Sequence, residues 1–572
     1  MKKLERTLSL PGAIAVSIGG MLSGIFVLPG LAVGITGSSV WLAFLVAALC
    51  ILPAVLSKSE LGTAMPKSGG TYVYIERAFG PLFGTIAGIG LWLSLLLKSA
   101  FSLVGLSAYL YVVVNIDEAY TKAIALLALL LIFLLNVFGL KKVEKTQLFI
   151  VSTSIISLIV IIALGLTSFD TKLTEPVFSD GTNGFIAGVA FLYISYAGVT
   201  KIAAIAGEIT NPSKNLPLTM IISLFLITTI YCLVALALVG NVEASILATD
   251  IKPIHTLFQT IGGDTFGLIA GVVGALTLLS MANSGVLASS RFPFAMSKDG
   301  LLPSYLAGIN SKFMTPVSAI LTTSTLIALA IIFLDVVKIA KLASAFKVLM
   351  FIFNELTVIV LRETNAQWYK PTFKSPMYPY VQIFGILSGI VLLAFLGVMP
   401  VVSVIGVVIL GFLIFLVYGS KSDRSGVASS YGILSFFRKD ASKIREYSEE
   451  TDNTEDAITT KAEVVVPLLG EETSPETLVE MAAALKSTNE VQAFDITEVP
   501  NQTDSSVFME DSPESTSLKR RIKRLSDSKD LNVGFEAVVT YELSQTINKL
   551  SSQESCEWLV MGWGARPNSG IF

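Results

Sequence analysis

The chain has 572 residues, 53% of them apolar and only 15% charged. Its net charge of −3 hides two unlike parts: residues 1–420 carry 24 Lys+Arg against 17 Asp+Glu, and residues 421–572 carry 16 against 26. Sparse charge over apolar runs matched to the ~30 Å hydrocarbon core of a bilayer makes the first part a polytopic membrane protein. It excludes a cytosolic enzyme, a secreted disulfide scaffold and a nucleic-acid binder, and Cys50, Cys232 and Cys556 form no disulfide framework.

In chain order the hydropathy marks twelve spans, at 8–35, 40–57, 82–114, 121–140, 147–168, 183–207, 216–240, 266–290, 316–334, 339–361, 380–398 and 401–418. The first is too long for a cleavable signal and lacks a cleavage-like site. With the N-terminus cytoplasmic, the inner segments hold sixteen Lys and Arg, Lys58 and Lys67 among them, and the outer segments five. That bias places both ends in the cytoplasm of a cell-membrane protein. Lys98, Lys201 and Lys347 remain, each inside an apolar span.

A polar linker, 421–460, leads to a different pattern at 461–572. Residues 462–469, 491–497, 532–540 and 558–562 read as strands, and 475–486 and the stretch around 518–525 as helices, with a further helix before the last strand. Alternating strands and helices predict a small α/β domain with a parallel sheet. The basic run at 519–524 reads as a solvated helix face.

Glycine carries the chemical signal. Gly costs about 1 kcal/mol relative to Ala inside a helix, so Gly19, Gly20 and Gly24 around Ser23 predict a break in the first span, with a counterpart at Tyr193–Thr200 in the sixth. Broken helices expose N–H groups for anions and carbonyls for cations, and breaks five spans apart predict an inverted repeat with a site between its halves. Small residues also serve plain helix packing in membranes, and that alternative stays open.

Four strings carry a resemblance: Gly24-Ile25-Phe26-Val27-Leu28-Pro29-Gly30; Met65-Pro66-Lys67-Ser68-Gly69-Gly70-Thr71-Tyr72 leading to Phe79-Gly80-Pro81; Gly207-Glu208-Ile209-Thr210-Asn211-Pro212; and Ser290-Arg291 with Ser297-Lys298-Asp299-Gly300. In order and spacing they resemble the amino acid–polyamine–organocation permeases over nearly all of 1–420. The resemblance implies an all-α transporter of five plus five inverted spans with two more. It also implies a substrate carboxylate at the amides of Ser23, Gly24 and Ile25, and a substrate ammonium at carbonyls around Gly19, Tyr196 and Ala197; Gly20, Gly198 and Lys98 are further substrate-binding candidates. This chain departs from the family at Leu22-Ser23-Gly24 and at Thr200, so side-chain selectivity does not carry over. The tail resembles a universal-stress-protein domain, but its Gly-rich loop, begun at Gly562, meets the chain's last residue before the nucleotide pattern is complete.

The expectation is therefore a secondary active transporter for an amino acid, without cofactor, metal site or covalent chemistry. A membrane sensor signalling through the tail is the alternative. Tyr196 and Glu208 are gate candidates. Arg291 and Asp299 are latches of an inner loop, and His255, in an outer loop, has no role. Sodium coupling would use Ser280 and Ser284; Lys98, Lys201 and Lys347 favour a coupling proton or a counter-substrate. Three intramembrane cations also favour acidic or neutral substrates over cationic ones.

Overall fold

Two adjacent glycines cannot hold a helix against a polar-free surrounding as well as their neighbours can, and the first helix ends on them. In the computed structural model, which describes residues 8–65, 71–114, 120–138, 143–310, 315–364, 366, 368–421, 426–430, 462–470, 472, 474–485, 490–499, 513–540, 543–552 and 556–562, α1 (Leu10–Gly19) carries Pro11 in its first turn and stops at Gly19. A turn over residues 20–22 follows, and α2 (Ser23–Thr36) resumes the path. α3 (Val40–Ala64) comes next. Hydropathy ended this span at residue 57, but Lys58, Ser59, Glu60 and Leu61 include no helix breaker, and the helix continues through them. Lys58 and Glu60, expected at the inner surface, are thereby buried.

The remaining helices are α4 (Tyr72–Phe79), α5 (Pro81–Val114), α6 (Thr121–Phe138), α7 (Val143–Thr167) and α8 (Gly181–Leu192), which passes into a 3₁₀ helix, Tyr193–Glu208. Then follow α9 (Pro212–Val239), α10 (Ala244–Leu247), α11 (Pro253–Lys298), α12 (Val317–Phe333), α13 (Val336–Glu363), α14 (Tyr380–Phe395) and α15 (Val398–Val417). Among the described residues nine stretches are long and apolar enough to cross a membrane, the first of them Leu10–Ala64 with α1, α2 and α3 together; α12 and α14 are shorter apolar helices. α6 and α15 bury only 28% and 22% of their most apolar windows and turn Leu127, Leu130, Leu131, Ile405 and Ile409 outward. Such faces suit lipid and not water, and the chain is a multi-pass membrane protein.

Helix packing accounts for part of the glycine signal. Along the α5–α11 contact Gly285 receives Ser99, Gly88 receives Met296, and a Cβ at Gly105 would lie 2.7 Å from Val27 of α2. α11 starts well before residue 266, bends at Gly263, whose φ of 74° favours glycine, and carries His255, expected in a loop, buried near its start.

The chain divides into two compact units, Met1–Val360 with Pro371–Asp423, and Leu361–Lys370 with Arg424–Phe572. In the second, four parallel strands, β1 (Val464–Leu468), β2 (Val491–Glu498), β3 (Val533–Thr540) and β4 (Trp558–Leu559), lie in the order β3-β2-β1-β4. Alternation along β1 sorts the core. Val464, Val466 and Leu468 pack with Val479 and Ile522 of the helices Pro475–Ala484 and Pro513–Lys529, while Val465 packs with Phe494, Leu543 and Leu550 on the face covered by the helix Leu543–Ser551. The loop beyond Gly562 lies outside the described residues.

Candidate functional site

The two breaks meet. A Cβ at Gly198 would collide with the carbonyl group of Gly20 and lie 2.8 Å from the Met21 nitrogen, so the 3₁₀ helix crosses the turn between α1 and α2 backbone to backbone. One turn on, Gly24 faces Ser195, with 2.7 Å between a Cβ built on the glycine and the serine Cβ. Around this crossing the hydroxyls of Ser17, Ser23 and Ser195 are buried without a hydrogen-bond partner among the described residues. Such groups are costly unless a ligand or water completes them.

Lys98 of α5 spans both breaks. Its Nζ donates to the Gly20 carbonyl at 3.1 Å and to the Ile194 carbonyl at 3.1 Å. The helix carries the lysine because its neighbours Ser94, Ser99 and Ser102 satisfy their hydroxyls on backbone carbonyls: Ser99 and Ser102 one turn back on α5, and Ser94 across to Ala343 of α13. Lys98 therefore stands beside the carbonyls of Gly19, Tyr196 and Ala197 that the family resemblance assigns to a substrate ammonium, on those of Gly20 and Ile194. Neighbouring carbonyls are pinned too, Met21 by the Tyr231 hydroxyl at 2.6 Å and Phe26 by Tyr109 at 2.7 Å. The amides of Gly24 and Ile25 donate to the Met21 and Leu22 carbonyls at 3.0 and 3.2 Å, which leaves Ser23 as the end of α2 nearest the orphaned hydroxyls.

The other expected residues fall at different distances from this crossing. Tyr196 is fully buried, donates to the Phe44 carbonyl at 2.9 Å and packs on Phe44 and Tyr231. Ala197 accepts from Thr200, and Lys201 follows on the same 3₁₀ helix, half-buried. Lys347 of α13 lies with Nζ 4.8 Å from the centre of the Phe351 ring. Lys58 of α3, expected at the inner surface, approaches the same ring at 5.4 Å. Lys98, Lys201 and Lys347 are close enough to repel one another, as are Lys58 and Lys347.

Ser280 and Ser284 share α11 but stand to one side of the line Gly274, Leu278 and Gly285 that meets α2 and α5; Ser284 donates within its own helix, to Met281. The side chain of Glu208 lies outside the described residues. Asp299, at the end of α11, accepts from the Tyr72 hydroxyl of α4. Reasoning from sequence passed over Glu355 of α13 as well, although it is the one carboxylate inside the twelve predicted spans and was visible on that ground.

Residues 8–430 match the sequence profile of the amino acid permease family. The chain belongs to that family, among the amino acid–polyamine–organocation transporters. The permease is 26% identical over 442 residues to the branched-chain amino acid permease BcaP of Bacillus subtilis, a match covering 74% of this chain and 95% of BcaP. BcaP of Lactococcus lactis is 28% identical over 452 residues, covering 74% and 96%. The serine/threonine exchanger SteT of Bacillus subtilis is 28% identical over 403 residues, covering 67% and 89%.

Proposed function

We propose that this permease moves an acidic or neutral amino acid across the cytoplasmic membrane by alternating access. In this reading twelve spans form a five-plus-five inverted repeat with two additional helices, both ends are cytoplasmic, and α1–α2 and α8 with its 3₁₀ continuation are the paired broken spans. The observation that carries it is the placement of Lys98 on the carbonyls of both breaks, with Lys201 and Lys347 close by. Cations so placed attract a carboxylate and repel a cationic side chain.

The substrate carboxylate is assigned to the Ser23 end of α2, where the helix dipole favours an anion, with Lys98 as its counter-charge. The substrate ammonium is assigned to the carbonyls around Gly19, Tyr196 and Ala197, beside the Gly20 and Ile194 carbonyls that Lys98 holds in this conformation, with Gly20 and Gly198 bounding the same site. The names of BcaP and SteT, a branched-chain permease and a serine/threonine exchanger, support a neutral substrate. Matches also include proteins named cationic amino acid transporters from Arabidopsis thaliana, and the lysines of this chain weigh against that specificity.

Energy comes from a proton or a counter-substrate in preference to sodium. The tail, read as a universal-stress-protein-like fold in the cytoplasm, modulates transport and contributes nothing to the pathway. Uptake of a panel of labelled acidic, neutral and cationic amino acids into proteoliposomes tests this. Accumulation or exchange of an acidic or neutral substrate supports the reading. Binding without translocation makes the chain a sensor, and a preference for arginine or lysine overturns the charge argument.

A further inference from the structure

Away from the crossing of the broken helices, a second polar cluster is buried between α3, α13 and α14. Glu355 of α13 is 1% exposed. Its Oε2 accepts from the Ser57 hydroxyl at 2.6 Å, and its Oε1 has no partner among the described residues. Gln382 of α14 donates from Nε2 to Ser57 Oγ at 3.2 Å and to Ser375 Oγ at 3.0 Å, while its own Oε1 is likewise buried and unpartnered. Ser57 thus accepts from Gln382 and spends its one hydrogen on Glu355 Oε2, which leaves Glu355 Oε1 without a donor among the described residues. Gly385 seals the site: a Cβ there would lie 3.1 Å from the Glu355 carboxyl carbon, so α14 closes directly over the acid.

The charged and titratable groups around Glu355 do not neutralise it. From α3 come Lys58, Glu60 and Cys50, from the 3₁₀ helix Tyr193, and from α13 itself Lys347. Glu60 is engaged elsewhere and accepts from the Ser375 amide at 2.7 Å. Tyr193 packs on Phe351, with 5.9 Å between ring centres. Both ammonium groups point at Phe351, one turn before Glu355, and among the described residues neither forms an ion pair with it. An ionised carboxylate with one hydroxyl donor and no cation is expensive in such a setting, whereas the neutral carboxylic acid carries no charge to solvate.

We infer that Glu355 is a proton-binding site of the transport cycle: it holds a proton in this conformation and releases it when the packing of α14 over α3 and α13 opens. On release the O–H bond of the acid breaks, the proton leaves to water on the side then open, and the carboxylate that remains is neutralised by the ammonium of Lys58 or Lys347. Reprotonation from the other side restores the closed cluster, one proton per cycle. This deepens the transport reading and rests on it for the coupling, but not for the proton itself.

The proton is read directly by infrared spectroscopy of the purified full-length permease. The wild type shows a carbonyl-stretch band of a protonated carboxyl group at neutral pH that is absent from Glu355→Gln, an isosteric variant that keeps the neutral shape of the acid; a band that persists in Glu355→Gln overturns the assignment. In proteoliposomes Glu355→Gln continues substrate exchange but loses accumulation driven by an imposed pH gradient at least tenfold, and Glu355→Asp restores part of it. Undiminished pH-driven accumulation in Glu355→Gln overturns the coupling role. So does a dependence on sodium that Glu355→Gln abolishes, because the cluster would then be a cation site. If the wild type moves no amino acid, the transport reading fails while the infrared result still decides the proton.

Discussion

Lys98 Nζ lies 3.1 Å from the carbonyl oxygen of Gly20, the residue at which the first span turns out of its helix. The same nitrogen reaches Ile194, two residues into the 3₁₀ segment of the sixth span. One flexible side chain thereby ties two discontinuous helices at the point where each has spare carbonyls. Hydrogen bonds to a charged group contribute about 1.5–3 kcal/mol each, and the carbonyls left behind are buried. Lys98→Met is expected to lower substrate affinity at least tenfold and the apparent melting temperature by several degrees, with correct membrane insertion. Binding measured by ligand-induced thermal shift checks it; unchanged affinity makes Lys98 a structural tie only.

Tyr72 is buried, donates to Asp299 and tilts against Phe292 of α11. The bond joins α4 to the end of α11, away from the crossing of the broken helices. Tyr72→Phe keeps the ring and removes the donor, at a cost of about 1.5–3 kcal/mol for a bond to a carboxylate. The expected outcome is a threefold to tenfold slower uptake with substrate affinity little changed. Initial rates against substrate concentration separate the two quantities.

The chain's second compact unit holds its own core on both faces of a parallel sheet. A unit with its own core and a polar connection tolerates separation, so a chain ending at residue 425 is expected to bind substrate within twofold of the full-length affinity. Loss of binding in an inserted, monodisperse truncation would show that the tail supports the pathway.

Within the tail, the Arg521 side chain hydrogen-bonds Glu476 and holds its carboxyl below the usual carboxylate range. A depressed folded-state value means stability that is present at neutral pH and is lost as pH falls through the folded-state range of Glu476. Both side chains are partly exposed, so the contribution is under about 1 kcal/mol. Arg521→Ala should lower the melting temperature of the tail by no more than a few degrees at pH 7 and by progressively less as the pH is lowered into the acid range, as followed by circular dichroism.

Apolar helices and the tail strands were legible because each rests on a local signal, long hydropathic runs in one case and short apolar runs in the other. The break at Gly19-Gly20 was legible for the same reason, since two glycines in succession weaken a helix wherever they occur. Contacts between distant elements were not. Nothing in the neighbourhood of Lys98 announces that its ammonium reaches residues 78 and 96 positions away. Lys58 was misplaced because hydropathy locates the edge of an apolar run, not the end of a helix. Glu355 went unremarked although a carboxylate inside an apolar run is as costly as a lysine there.

Glycine at the crossing yields a graded series. Gly20 has helical backbone angles, φ −67° and ψ −13°, and a Cβ on it would meet Gly198 Cα at 3.3 Å, a tight contact that small shifts relieve. The reverse substitution has no such relief, because a Cβ at Gly198 runs into the peptide between Gly20 and Met21, whose carbonyl is already held by Lys98. Overpacking costs about 1–3 kcal/mol where neighbours can move, and backbone moves least. Gly406 of α15 is exposed with nothing within 4 Å of a built Cβ, so alanine there gains helix propensity of up to about 1 kcal/mol and meets no neighbour. The expected order is therefore Gly406→Ala indistinguishable from wild type or slightly more stable, Gly20→Ala reduced in uptake by a few-fold, and Gly198→Ala reduced at least tenfold with a lower melting temperature. Uptake and thermal stability measured on the three purified variants decide it: equal behaviour of Gly20→Ala and Gly198→Ala would mean that the two backbones do not cross as closely as described, since only the asymmetry of that contact separates them.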